Sequence, residues 1–209
     1  MDSTRESNEQ FEKLGSDLKK AVEIMLKRQN LVRVSSEQFH QLQCIVECKN
    51  SLTQAPTGSG KTWAAISAQE VLDLLRDQLN HTNIPPQTRV LYIAPPIAII
   101  KTLERELSKF EIKYEILDAD HRRQIELGSK VIIVTPEKLM NTATMLNICK
   151  LSWSALVIDE PQYILQWGTS KKKKGGFKRP FREAFQHLNR LNGLGCPFEL
   201  HTATAQNLG

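Results

Sequence analysis

The segment at residues 55–62, with the sequence APTGSGKT, restricts the fold of this chain more than any other. A short strand-like run at 51–55 precedes it, and a long helical pattern at about 61–79 follows it. Glycine lets such a turn curl so that successive N–H groups point inward, and a helix N-terminus adds positive charge. A chance occurrence in a linker would lack these flanks. The segment therefore predicts a phosphate-binding loop between a strand and a helix.

The side chains of this loop suit particular parts of a nucleoside triphosphate. Lys61 can reach the β- and γ-phosphates, and the Thr62 hydroxyl can bind Mg²⁺. The usual pattern begins with glycine, whereas this chain has Ala55. The residues predicted to bind the nucleotide here are Pro56, Thr57, Gly58, Ser59, Gly60, Lys61 and Thr62.

Apolar runs alternate with helical patterns along the rest of the chain. The runs at 90–94, 131–134 and 155–158 are unbroken, a shorter strand is expected at 114–117, and a helix is expected at 97–110. Unbroken apolar strands are typical of a parallel sheet that is covered on both faces. We therefore predict an α/β fold with a mostly parallel sheet and helices on both faces.

The length predicts one domain with an appendage. The 209 residues, of which 40% are hydrophobic, are enough to bury a single core. Apolar residues recur at helical spacing from about 8 to 30, and Ser36 is placed to cap a second helix. We expect residues 1–30 to form an N-terminal helical extension and residues 31–209 to form the main domain.

Charge and cysteine content indicate the surroundings of the protein. The 28 Lys and Arg against 23 Asp and Glu give a net charge of +5, which hints at a polyanionic partner. Four scattered cysteines without C-x2-C spacing, after a polar N-terminus, predict reduced thiols and no zinc site. No apolar run reaches the roughly 18 residues of a membrane span. We expect an intracellular protein without a membrane partner, nuclear in a eukaryote and otherwise cytoplasmic.

A second acidic motif follows the last apolar run. The sequence LVIDE at 156–160 ends in two adjacent carboxylates, Asp159 and Glu160. At the carboxyl end of a parallel strand, Asp159 would bind Mg²⁺ directly or through water, and Glu160 would orient and deprotonate an attacking water. A solvated acidic turn is the alternative. Combined with the phosphate-binding loop, the motif favours hydrolysis of ATP with Mg²⁺.

Further short segments around these two motifs follow a consistent order. APPIAII stands at 94–100, VTPEKL at 134–139, DEPQYILQWG at 159–168, FREAF at 181–185 and TATA at 202–205. Together with APTGSGKT they resemble the motifs of the first RecA-like motor domain of superfamily 2 helicases, and most closely those of the RecQ family. The similarity covers the chain from Gln38 to Ala205 and implies an ATP-dependent DNA helicase.

The resemblance implies roles for residues that chemistry alone does not assign. Gln38 precedes Lys61 at the spacing of the glutamine that reads adenine, although Val34 and Ser35 stand where an aromatic residue and an arginine are usual. Gln162 occupies a catalytic position that is histidine in the RecQ motif. The remaining residues are expected near the nucleic acid, namely Pro96, Thr135, Pro136, Trp167, Phe181 and Arg182, or in coupling hydrolysis to movement, namely Thr202, Ala203 and Thr204.

The segment at 171–182, KKKKGGFKRPFR, is strongly basic and reads as a loop by composition. Lysines such as Lys171 and Lys172 can neutralise phosphates, while the interleaved Phe177 and Phe181 can stack on bases. A solvated loop or a nuclear import signal is the alternative. We expect contact with single-stranded or partly duplex DNA, without sequence specificity.

These observations lead to one first hypothesis and two alternatives. The first is the ATP-binding half of a RecQ-like DNA helicase. The alternatives are a nucleotide-dependent module that binds single strands without helicase action, and an RNA helicase domain of the same superfamily. Because the chain stops soon after Ala205, a second RecA-like domain is expected only in a longer form, and this chain alone is not expected to unwind DNA processively.

Overall fold

The computed structural model describes residues 2–56, 58–86, 88–94, 97–117, 125–126, 128–161, 171–173, 176–178 and 190–203. Of these, residues 2–12, 97–98, 171–173 and 176–178 are described by their backbone only. The helices are α1 (Asp2–Arg28), α2 (Ser36–Val46), α3 (Lys61–Asp77), α4 (Ile97–Lys109), α5 (Pro136–Leu139) and α6 (Thr142–Cys149). The strands are β1 (Ser51–Gln54), β2 (Arg89–Ile93), β3 (Tyr114–Leu117), β4 (Val131–Val134), β5 (Trp153–Asp159), β6 (Lys171–Lys173), β7 (Gly176–Lys178) and β8 (Phe198–Thr202).

Six strands form one parallel sheet in the order β1-β8-β5-β2-β4-β3. All seven residues of the central strand β5 are buried. On one side β5 aligns Val157 with Tyr92, and on the other it aligns Asp159 with His201. The predicted α/β fold with a parallel sheet is confirmed. The carboxyl end of β5 lies between those of β2 and β8, which is where open parallel sheets bind ligands.

Helices cover both faces of this sheet, as its apolar strands predict. Alternate strand residues such as Tyr92 and Val157 pack with buried residues of α1, α2, α3 and α4. Their neighbours Ile93 and Ile158 point to the opposite face, where they pack with residues of α5 and α6. The period of two along each strand divides the apolar residues between two cores.

Helix α1 packs into the larger of these two cores. Its described apolar residues that are buried are Leu18, Ala21, Val22, Met25 and Leu26. Just beyond the helix, the Gln29 amide accepts a hydrogen bond from Trp63 Nε1 at 2.8 Å and donates one to Glu70 at 3.0 Å. Both partners lie on α3, so α1 rests directly on the helix that follows the phosphate-binding loop. The division of the chain at residue 30 stays a prediction.

Local expectations differ from the structure at the cap of α2, at the end of α3 and in the basic segment. The cap of α2 is Ser35 rather than Ser36, because Ser35 and Gln38 exchange side-chain and backbone hydrogen bonds in a capping box. Helix α3 ends at Asp77 rather than Leu79. The basic segment is not wholly a loop, since β6 and β7 pair antiparallel across the two-residue separation that suits a hairpin.

None of the helices in the described ranges is both long enough and apolar enough to cross a membrane.

Candidate functional site

The phosphate-binding loop joins β1 to α3 through two glycines with left-handed backbone angles. Gly58 has φ 84° and Gly60 has φ 83°, a region that residues with a Cβ rarely adopt. A Cβ on Gly60 would also collide with the side-chain amide nitrogen of Gln38. Glycine at position 60 therefore meets both a backbone and a packing requirement. Thr57 lies outside the described residues.

The start of α3 is built to receive an anion. Gly60 caps the helix without any side-chain hydrogen bond, so the first N–H groups of α3 are left for a ligand. Lys61 Nζ lies inside the loop, where it donates to the carbonyl oxygens of Ala55 at 2.6 Å and Pro56 at 3.2 Å. That Lys61 binds phosphate stays a prediction.

The two acidic residues lie where β5 ends. Asp159 is its last residue and is buried, whereas Glu160 is half-buried. Glu160 has φ 51°, in the left-handed region, and its N–H donates to His201 O at 2.7 Å. A left-handed non-glycine residue costs free energy and is typical of functional sites. The hydrogen bond to β8 holds this turn, and both carboxylates line the same cleft as Lys61.

Tyr92 joins the loop to the acidic motif, and no sequence motif had marked it. Its hydroxyl donates to Asp159 Oδ2 at 2.9 Å, and the Thr62 side chain interacts with the same phenol and lowers its pKa. Thr62 and Asp159, the two predicted magnesium ligands, are therefore connected through one buried hydroxyl. Hydroxyl and carboxylate oxygens are the hard donors that Mg²⁺ prefers, so the residues present fit this ion.

Burial dominates the electrostatics of this pair. It raises the pKa of the Asp159 carboxyl above its usual range, and the Glu160 charge adds to the rise. His201, the Tyr92 hydrogen bond and Lys61 act in the opposite direction. Burial, reinforced by the charge of Asp159, also raises the pKa of Tyr92 well above its ordinary value. The phenol therefore stays protonated and acts as a hydrogen-bond donor. The site favours a bound cation, which would offset the carboxylate charge.

Gln38 lies against the loop at the start of α2. Its Oε1 accepts from Ser35 N at 2.8 Å, and its Nε2 donates to Gly60 O at 3.2 Å. These bonds fix the plane of the amide, and they use one of the two lone pairs on Oε1 and one of the two N–H groups on Nε2. The other lone pair and the other N–H match the donor and the acceptor on an adenine edge. The role of Gln38 in reading adenine stays a prediction.

The cleft that these residues line has a volume of about 530 Å³. Beyond the loop and the acidic pair, it is bordered by Leu31 and Arg33 from the segment between α1 and α2. A larger groove of about 680 Å³ lies between α1, α3 and the end of α4. Among the described residues, that groove is lined by side chains of both charges and by none of the predicted phosphate or metal ligands. The smaller cleft is therefore the candidate site, because the predicted phosphate and metal ligands line it.

The residues expected near nucleic acid are only partly described. Thr135 caps α5 by accepting from Lys138 N, and Pro136 is buried in the first turn of that helix. Lys171 and Lys172 lie on strand β6, and their side chains are outside the description. The other residues expected near nucleic acid fall outside the described ranges, and they are Pro96, Trp167, Phe181 and Arg182. Gln162, predicted to be catalytic, and Thr204, predicted to act in coupling, also lie outside the described ranges.

The coupling segment begins at the end of β8, next to the phosphate-binding loop. Thr202 is buried, and its carbonyl accepts a hydrogen bond from Ala55 N at 3.1 Å. Ala203 follows it and is half-buried. A shift of this segment would therefore pull directly on the first residue of the loop.

A buried polar network in β8 was likewise not predicted from the sequence. His201 and Glu199 are fully buried, and His201 Nε2 lies 2.6 Å from the amide nitrogen of Gln41. Glu199 accepts from the Ser51 hydroxyl at 2.6 Å. Alternating polar and apolar residues in FELHT, directly before the TATA segment, are the signal that could have revealed this strand.

Comparison with known proteins agrees with this geometry. The sequence model of the DEAD/DEAH box helicase family matches residues 35–207. The fold is similar to that of the DUF1998 helicase MrfA, solved bound to DNA, with TM-score 0.61 at 18% identity over 90% of this chain and 26% of that one. It is also similar to a hypothetical ATP-dependent RNA helicase from Sulfolobus tokodaii, with TM-score 0.57 at 16% identity over 92% of this chain and 51% of that one.

A third similar structure is the SWI2/SNF2 ATPase core of Sulfolobus solfataricus in complex with dsDNA, with TM-score 0.54 at 18% identity over 84% of this chain and 32% of that one. The chain thus spans between about a quarter and a half of these three structures. At such identities the structural likeness shows the RecA-like fold, while the sequence match covers most of the chain. The chain therefore belongs to the DEAD/DEAH box helicase family.

Proposed function

We propose that this chain is the ATP-binding half of an ATP-dependent DNA helicase motor. One observation carries the proposal: the phosphate-binding loop and the acidic pair lie at one cleft, connected through Thr62, Tyr92 and Asp159. The two motifs are separated by about a hundred residues in sequence, and together they form a site for a ligand that needs both. A nucleoside triphosphate with a divalent cation is such a ligand.

The residues around the cleft have separate roles in hydrolysis. The first N–H groups of α3 and the Lys61 ammonium hold the phosphates, and Thr62 with Asp159 would hold Mg²⁺. When bound, Mg²⁺ supplies positive charge to the phosphate oxygens as the bond to the leaving group breaks. The Glu160 carboxylate orients a water and accepts its proton. Because the left-handed turn at Glu160 is fastened to β8, its position depends on the coupling segment.

Several observations support DNA as the polymer. The net charge is +5, and four successive lysines begin the basic segment. Two of the similar structures, MrfA and the SWI2/SNF2 core, were solved with DNA. The stretch DEPQYILQWG supports a RecQ-like character, since the QWG portion resembles that family's motif. A second RecA-like domain facing the cleft belongs to the same proposal, because it would contribute the arginine that completes the site.

RNA is the second candidate polymer. The similarity to a hypothetical ATP-dependent RNA helicase favours it, at a TM-score close to that for MrfA. Backbone and stacking contacts accept either sugar, so the choice depends on whether the 2′-hydroxyl is recognised. Comparing stimulation of ATP turnover by matched DNA and RNA strands separates the two candidates.

The first test is replacement of Lys61 by alanine. We expect Lys61→Ala to lower DNA-stimulated ATP turnover by about 100-fold or more, because an aligned charge on the transferred phosphate is removed. Turnover is measured in a form extended through a second RecA-like domain, and ATP binding is measured on this chain. Lys49→Ala is the control, since Lys49 forms only a surface ion pair with Glu47.

Three results have distinct meanings. Unchanged turnover in Lys61→Ala would remove the assignment of the loop. Nucleotide-dependent DNA binding with no phosphate release in any longer form would favour the binding-module alternative. Loss of turnover in both Lys61→Ala and Lys49→Ala would point to a general effect of charge.

A further inference from the structure

The Tyr92 hydroxyl is buried in a place where its ring alone would fill the core. Tyr92 is fully buried in the middle of the sheet, and its ring packs edge-on at 6.3 Å from that of His201. Burying a hydroxyl costs free energy unless it is hydrogen-bonded, and phenylalanine would fill the same volume without that cost. The hydroxyl therefore has a role that the packing of the ring does not explain.

The partners of the hydroxyl indicate that role. It donates to Asp159 Oδ2 at 2.9 Å, and the Thr62 side chain interacts with it. These are the two residues that the sequence predicts to bind Mg²⁺. Tyr92 lies on β2, Asp159 on β5 and Thr62 on α3, so the phenol joins three elements at one point.

The division of oxygens on Asp159 supports the same role. Tyr92 occupies Oδ2, and within the described residues Oδ1 is left for another partner. A carboxylate fixed through one oxygen presents the other in a defined direction, which is how outer hydrogen bonds orient metal ligands. Without the phenol, the carboxylate could rotate, and its desolvated charge would lose a donor.

We propose that Tyr92 is a positioning residue for the divalent cation: its hydroxyl holds Thr62 and Asp159 at the spacing at which both bind the same Mg²⁺. Tyr92 does not touch the cation or the nucleotide. The inference rests on the proposed function and goes beyond it, because it assigns the affinity for the cation to a residue outside the two nucleotide motifs.

The test is a Mn²⁺ titration of the chain saturated with ADP, followed by the decrease of the electron paramagnetic resonance signal of free Mn²⁺. Mn²⁺ shares the oxygen preference of Mg²⁺. For Tyr92→Phe we expect the Mn²⁺ Kd to rise by about 10- to 100-fold, the range for removal of a hydrogen-bond partner behind a metal ligand. The ADP Kd in EDTA should stay unchanged, since the loop itself is intact. Tyr114→Phe removes the same atom from half-buried Tyr114 on edge strand β3 and should match the native chain.

The outcomes separate this inference from the proposed function. A native Mn²⁺ Kd in Tyr92→Phe overturns the inference and leaves the proposed function standing. If Tyr92→Phe loses both ADP binding in EDTA and Mn²⁺ binding, the role of Tyr92 is purely structural, and this result also overturns the inference. If the native chain binds no ADP under either condition, the proposed function fails and takes the inference with it.

A second measurement covers the case in which Tyr92→Phe does not fold. In the native chain, a buried and hydrogen-bonded phenol exchanges its proton slowly enough to be followed by NMR. We expect the Tyr92 hydroxyl proton to shift when Mg²⁺ is added to the ADP complex, and to shift less when ADP alone is added. An unchanged resonance on adding Mg²⁺ would contradict the inference without any substitution.

Discussion

The surroundings of Asp159 disfavour the charged form of its carboxyl group. Burial raises the pKa of its carboxyl, with Glu160 adding to the rise. An acid whose pKa is higher in the folded state is most favourable to folding when protonated, and this contribution is lost as pH rises through the raised pKa. At neutral pH the native chain without nucleotide is therefore destabilised by the buried Asp159 carboxylate.

The first prediction at this scale is that Asp159→Asn stabilises the chain at neutral pH while abolishing hydrolysis. Asparagine keeps an oxygen that can accept from Tyr92 and removes the buried charge. The gain in unfolding midpoint should vanish below about pH 4, where the native carboxyl is protonated too. Urea unfolding across this pH range measures it.

Asp17→Asn provides a control of opposite sign. Hydrogen bonds from Lys20 and His81 lower the pKa of Asp17, so its contribution to stability is present at neutral pH and disappears on acidification. Asp17→Asn should therefore destabilise the chain at neutral pH. A lower midpoint for Asp159→Asn at neutral pH would contradict the account of the site.

Whether a residue of the site could be predicted from the sequence depends on how far apart its contacts lie along the chain. The loop and the acidic pair were predictable because local sequence dictates each of them: glycines for a left-handed turn, and carboxylates at the end of an apolar strand. Tyr92 was not, because its contact with Asp159 depends on β2 lying beside β5. Such pairing across the sheet is set by the order of strands, which local sequence does not encode.

Among the elements, α1 shows how a segment outside the matched motifs supports the site. Its buried face packs on α3, and Gln29 connects it to Trp63, which directly follows Thr62. Trp63 is buried, as expected for a core residue. The start of α3 is thus held from two sides, by Gln38 on α2 and by Gln29 beyond α1.

We predict that Met25→Ala lowers the free energy of unfolding by about 2–5 kcal/mol, the cost of removing a large side chain from a packed core. Met25 is fully buried in the core that α1 shares with α3. Val32→Ala is the control, since Val32 is 96% exposed, and its effect should stay within about 0.5 kcal/mol. Denaturant unfolding monitored by circular dichroism compares them. Equal effects would show that α1 contributes little to the fold.

The predicted elements were reliable where one residue class dominates. Strands β3 and β4 have the predicted bounds, and in β4 every residue is apolar, β-branched and buried. Strand β8 was missed because Glu199 and His201 interrupt its apolar residues, and their hydrogen-bond partners Ser51 and Gln41 lie on other elements. The hairpin of β6 and β7 was missed because lysine-rich composition hides a short antiparallel pairing.

At the scale of the whole molecule, the sheet brings three motifs to one edge. The loop after β1, the acidic pair after β5 and the coupling segment after β8 all follow strands that are neighbours in the order β1-β8-β5. Backbone hydrogen bonds connect them, from Ala55 to Thr202 and from Glu160 to His201. A shift at the end of β8 can thus reach both the phosphate-binding loop and the acidic pair.

The final prediction concerns this polymer side. Lys171 and Lys172 are two of the positively charged residues of β6. We expect the double substitution Lys171→Glu and Lys172→Glu to weaken binding of a mixed-sequence DNA strand uniformly across sequences. The slope of log affinity against log salt should become shallower by about 0.7 for each phosphate that is no longer neutralised. Fluorescence anisotropy at several salt concentrations measures both effects. The pair Lys19→Glu and Lys27→Glu on exposed positions of α1 makes the same change in net charge and should leave the slope unaltered. If both pairs weaken binding equally, the attraction comes from net charge, and the hairpin has no special part in it.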